Sequence, residues 1–71
     1  MHVGIVKWFN ESKGYGYIVR EEDGAEVFVH FTAIEMDGYR SLKKGQSVKF
    51  ECIQGEKGLL ATRVVVLNQT S

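Results

Sequence analysis

Two runs in this chain, Lys13-Gly14-Tyr15-Gly16-Tyr17-Ile18 and Val27-Phe28-Val29-His30-Phe31, carry residue types suited to recognising flat aromatic ligands. Successive side chains of a strand point to opposite faces. Tyr15 and Tyr17 therefore share one face while Gly16 and Ile18 take the other, and Phe28 and His30 share a face opposite Val27, Val29 and Phe31. If the two runs pair across residues 20–25, the rings of Tyr15, Tyr17, Phe28 and His30 meet on one exposed sheet surface. The opposite parity already supplies Ile18, Val27 and Val29 for a core, so turning the rings inward would expose those residues and leave the interior short of filling. An outward platform on which single-stranded nucleic acid could stack its bases follows, with lysines nearby for the backbone.

Catalytic chemistry has little to work with. His2 is near a terminus, His30 sits among aromatics, and no cluster of cysteine, histidine and carboxylate has metal-ligand spacing. Gly14 and Gly16 lie in or beside a strand, whereas a phosphate-binding loop leads from a strand into a helix with a longer glycine-lysine-serine spacing. Glu21, Glu22 and Asp23 read as a solvated turn rather than paired acids. A single cysteine, Cys52, excludes an intramolecular disulfide and a cysteine-based zinc site, and its apolar strand context suggests a buried, inert thiol.

The elements that position the aromatics follow from the pattern. The 71 residues make one domain of about 60% buried surface, with 44% apolar residues, eight glycines and no proline, as expected of a small all-β fold with tight turns. A first strand is expected over 3–11, a second from Tyr15 to about residue 21, a third over 27–31, a fourth over 46–53 and a fifth over 59–67, with a frayed tail at 68–71. Asp23-Gly24 marks a hairpin that makes the second and third strands antiparallel neighbours. Residues 31–36 suggest a short helical turn capped by Thr32, and 37–41 a loop in which Tyr39 either covers the platform or fills a gap. Gly55 to Gly58 supplies the last hairpin. Strict alternation along the first strand puts Lys7 and Phe9 on one face and Trp8 on the other, so Trp8 reads as core unless the strand carries a bulge. Five strands with one long connection between the third and fourth suit a closed barrel, because closure removes exposed edges.

Nine basic residues balance nine acidic ones, which argues against a protein that grips duplex DNA chiefly through phosphates. The acids gather at 21–26 while Lys7 and Lys13 adjoin Trp8, Phe9 and Tyr15. No apolar run approaches the length of a membrane span, and the amino terminus lacks the layout of a signal peptide, so a cytoplasmic location is expected.

With these motifs in order, residues 3–66 resemble a bacterial cold-shock protein. Gly4 to Phe9 with Asn10, the two aromatic runs, Ala33-Ile34 and Gly45-Gln46 carry the resemblance. It implies a five-stranded antiparallel oligonucleotide-binding (OB-fold) barrel over about 3–67 that binds single-stranded RNA and DNA. It also implies an RNA chaperone and transcription antiterminator in cold adaptation, with no catalytic residue, metal or cofactor. By motif position the nucleic-acid-binding residues would be Lys7, Trp8, Phe9 and Lys13, then Tyr15, Tyr17, Phe28, His30, Phe31 and Tyr39, with Lys57 adding charge. On this view Trp8 leaves the core. The sequence departs from the usual family pattern with tyrosine at 15 and 17, Glu26 for aspartate, and Leu59 where proline is usual. Stacking tolerates these changes, and loss of the proline leaves a strand-exchanged dimer open beside the expected monomer. Two rivals are a peptide-binding barrel, whose grooves usually carry acids beside the rings, and a small hydrolase.

Overall fold

The computed structural model describes residues 1–35 and 41–67. Five strands, β1 (His2–Asn10), β2 (Tyr15–Arg20), β3 (Glu26–His30), β4 (Ser47–Gly55) and β5 (Gly58–Val66), close into a barrel in the order β1-β2-β3-β5-β4. A 3-10 turn, Phe31–Ala33, follows β3. Four seams are antiparallel, the fourth of them joining β4 back to β1. The remaining seam is parallel: β5 meets β3 only at Val27 with Leu59 and Phe28 with Leu60. Closure leaves no strand without neighbours on both sides, which removes the template for edge-to-edge aggregation.

Alternation filled the interior as the sequence suggests. Ile18, Val27, Val29, Val48, Phe50 and Val64 are fully buried, and no polar side chain among the described residues joins them. Phe50 is the largest of these side chains. Ile34 and Leu42, on the connection between β3 and β4, are also buried and close one end, where Ile34 bridges to Val64 and the Glu35 N–H donates to the Val64 carbonyl at 2.8 Å. The expected buried thiol is instead half-buried: Cys52 packs against the core while its Sγ receives a weak hydrogen bond from Arg20 at 3.6 Å.

The β2–β3 hairpin forms where Asp23-Gly24 indicates. Gly24 has φ 72°, a left-handed conformation open to glycine at no steric cost, and its N–H donates to the Arg20 carbonyl at 2.7 Å. The Asp23 carboxylate accepts from the Arg20 guanidinium at 3.0 and 2.7 Å and from the Ala25 N–H at 3.1 Å.

Two bulges break the alternation. In the β1–β2 register Val6 faces Ile18 but Trp8 faces Tyr17, so Lys7 is the extra residue. Lys7 and Trp8 both point outward, and Phe9 returns to the inner side. The second bulge lies in β5, where Thr62 and Arg63 both face solvent between buried Ala61 and Val64. The 3-10 turn also departs from expectation. Its N-cap is His30, whose side chain accepts from the Thr32 N–H, so Thr32 is the donor and not the cap.

Candidate nucleic-acid interface

The bulge at Lys7 decides the site. An extra residue in β1 rotates Trp8 out of the core line of Gly4 and Val6, and Trp8 is 39% exposed. On the outer face of β1, β2 and β3 the ring of Trp8 lies 6.0 Å from that of Tyr15 and 5.5 Å from that of Tyr17. Phe28 completes the set, 5.6 Å from Tyr15 and 5.5 Å from Tyr17. Each ring touches two others, and all four contacts are tilted or edge-on, geometries aromatic pairs favour over flat sandwiches.

His30 lies opposite Tyr15 in the register, and its ring packs against Phe31 at 4.7 Å. Its Nδ1 is engaged by the Thr32 N–H at 3.4 Å and lies 3.0 Å from the Thr32 hydroxyl, which fixes the ring orientation. Strand alternation would send Phe31 inward with the valines. It is 40% exposed instead, because β3 ends at His30 and Phe31 already belongs to the 3-10 turn. Gly14 supports it: the Phe31 N–H donates to the Gly14 carbonyl at 2.8 Å, and a Cβ on Gly14 would come within 2.7 Å of the Phe31 ring. With φ 79° besides, position 14 suits glycine twice over.

Gly16 has a different reason. A Cβ there would stand 2.2 Å from the Trp8 carbonyl oxygen and 2.7 Å from Phe9 Cα, so β1 and β2 approach as closely as they do only because Gly16 has no side chain. Phe9 is the paired residue, half-buried against the core, so it underlies the platform rather than sharing its surface.

Three lysines belong to the predicted site. Lys13 and Lys57 are exposed, and Lys57 lines an open cleft beside Tyr17 and Phe28. Lys7 is paired, its Nζ donating to the Glu26 carboxylate at the far side of β2. Sequence reasoning had singled out both residues without joining them; the i, j register that brings Val19 opposite Glu26, together with the bulge, sets the contact. Tyr39 lies outside the described residues. Of the other predicted residues, Trp8, Tyr15, Tyr17 and Phe28 are brought together, His30 lies opposite Tyr15 with Phe31 against it, and Lys57 shares a cleft with Tyr17 and Phe28. Among the described residues no group of three or more histidine, cysteine and carboxylate side chains is placed to hold a metal ion.

A closed five-stranded barrel in this strand order, with outward aromatic side chains on neighbouring strands, defines an oligonucleotide-binding type of barrel. The family model described as the 'Cold-shock' DNA-binding domain matches residues 2–67, and the chain belongs to that family. It is 51% identical over 70 residues to the cold shock-like protein CspD of Haemophilus influenzae, covering 99% of this chain and 97% of the relative. It is 57% identical to the cold shock protein CspD of Bacillus subtilis, covering 94% of this chain and all of that one. Among solved structures it is similar to drosophila Unr CSD456, with a TM-score of 0.75 and 30% identity over 99% of this chain. The chain spans 28% of the length of that structure's chain. As a cold-shock family member it carries a nucleic-acid-binding domain.

Proposed function

We propose that the protein binds single-stranded RNA and DNA by stacking bases on Trp8, Tyr15, Tyr17 and Phe28, with His30 and Phe31 extending the platform. The observation that carries this reading is the four-ring cluster held on the outer face while Val6, Ile18, Val27 and Val29 of the same strands fill the core. Stacking on a ring face contributes about 1–3 kcal/mol per base and tolerates every base, so sequence preference is mild. Lys13 and Lys57 meet the backbone.

A small domain that holds bases unpaired without demanding a sequence prevents and resolves RNA secondary structure. That is the work of an RNA chaperone, and a strand kept single through a terminator hairpin would give antitermination in cold-adapting cells. The whole chain acts as one such domain in the cytoplasm, as a monomer with a binding and not a catalytic role. Quenching of Trp8 fluorescence during titration with short DNA and RNA oligomers tests the reading. Saturable quenching by single strands with far weaker response to a duplex of the same sequence is expected, because pairing hides the base faces. Equal affinity for both forms would sink it.

A further inference from the structure

The stacking surface does not end with the aromatic rings. In the register, Trp8 lies opposite Tyr17, Tyr17 opposite Phe28, Phe28 beside Leu60 and Leu60 opposite Ile53. Directly paired positions put their side chains on the same face of a sheet. One unbroken row therefore crosses all five strands, aromatic on β1, β2 and β3 and aliphatic on β5 and β4. The inner neighbours agree with this assignment: Val27 is buried, and Leu59 and Cys52 pack against the core, leaving Leu60 and Ile53 to face out. Ile53 is 54% exposed, more than any other large apolar side chain in the five strands.

Resting on the single-strand reading above, we propose that Leu60 and Ile53 form an aliphatic subsite that takes the base following the one stacked at Phe28. Three features point to a base as the occupant. The cleft beside the β4–β5 turn, about 320 Å³, is lined by Tyr17, Phe28 and Leu60 together, so it continues the platform toward Ile53, which lies opposite Leu60 just beyond the lining. Lys57 stands in its wall and offers a cation to a phosphate. Glu26, paired with Lys7, and Glu56 line it too, and the Glu56 carboxylate disfavours a phosphate on the floor and leaves that space to an uncharged base. Two strand spacings, about 10 Å, separate the Phe28 and Ile53 positions, room for one or two nucleotides beyond the rings.

Thymidylates of about six and about ten residues, titrated against wild type, Leu60→Thr/Ile53→Thr and Phe28→Ala, test this within the range of site sizes known for such barrels. The double variant should bind the longer oligomer about three- to tenfold more weakly and the shorter one unchanged, the size expected from losing apolar contact with one base. Phe28→Ala should weaken both lengths. Threonine keeps strand propensity, and thermal melting of the variant checks that the barrel persists; should the pair not fold, Ile53→Thr alone is read in the same way. Unchanged binding of both lengths by the aliphatic variant, with Phe28→Ala still impaired, overturns the subsite and leaves the platform standing. Loss of the Phe28 effect as well would overturn the platform itself. A self-associating wild type that becomes monomeric in the double variant would mean that a second copy covers this flank, and would also overturn the proposal.

Discussion

Phe28 and Phe50 sit on strands of one barrel with opposite exposures, the first half-buried on the outer face and the second fully buried. Phe28→Ala is expected to cost about 1–3 kcal/mol of single-strand binding with little change in melting temperature. Phe50→Ala, which empties the largest space in the core, should cost about 3–5 kcal/mol of stability. Denaturant melts and oligomer titrations on both variants separate the two effects, and a Phe28 variant that unfolded like the Phe50 one would place that ring inside. Asp23 makes a second prediction at this scale. Hydrogen bonds from the Arg20 guanidinium, and then from the Ala25 N–H, hold its carboxyl at about 2 against an ordinary 3.8. Arg20 is pushed the other way, upward, by the same partner. A carboxyl whose value is lowered by folding stabilises the fold above its unfolded value, and that contribution fades as pH falls through the folded one. Asp23→Asn should therefore lower the melting temperature at neutral pH, with the gap to wild type closing between about pH 4 and pH 2.

At the scale of elements the β1 bulge is the feature to test. Val6 is gripped from the β4 side, its N–H donating to Gln46 at 2.9 Å and its carbonyl accepting from Gly45 at 2.8 Å, so the strand is pinned just before the extra residue. Deleting Lys7 should restore regular alternation with Val6 inward, Trp8 outward and Phe9 inward. Accessibility of Trp8 to acrylamide should then match wild type; a shielded tryptophan would mean that Lys7 is not the extra residue. This element also marks where the sequence stopped being legible. Parity in β2 and β3 is readable because Ile18, Val27 and Val29 fall together on the face opposite the rings, and Asp23-Gly24 fixes their pairing. Period-two reasoning on β1 left Trp8 inside unless a bulge intervened, and resemblance to a family, not spacing, moved it outward. No local signal announces the bulge, and the partners that pin Val6 just before it, Gly45 and Gln46, lie far along the chain. Phe31 was misread by parity for a related reason, since the end of β3 is set by the His30–Thr32 cap. The parallel β3–β5 seam had no hairpin to reveal it, being only two pairs long and closed by packing.

For the whole molecule, formal charge is zero, and what governs its response to salt is which cations near the rings remain free. Binding that neutralises Z phosphates of a single strand weakens with a log–log salt slope of about −0.7Z. Of the three candidate lysines, Lys7 is already paired with Glu26, whereas Lys13 and Lys57 have no ion-pair partner among the described residues. Two free cations set a slope of about −1.4. Glu26→Gln releases Lys7 while keeping the size and hydrogen-bonding capacity of the side chain, so the slope should steepen to about −2.1 and affinity at low salt should rise. Lys13→Gln should flatten it by a comparable fraction of a unit. Tyr17→Ala should weaken binding at every salt concentration and leave the slope where it was, because a ring face releases no counterions. Oligomer titrations across a salt series on these four chains measure every quantity involved. A wild-type slope several units steeper, or a Tyr17→Ala slope that flattened, would show that phosphates and not base faces carry the affinity.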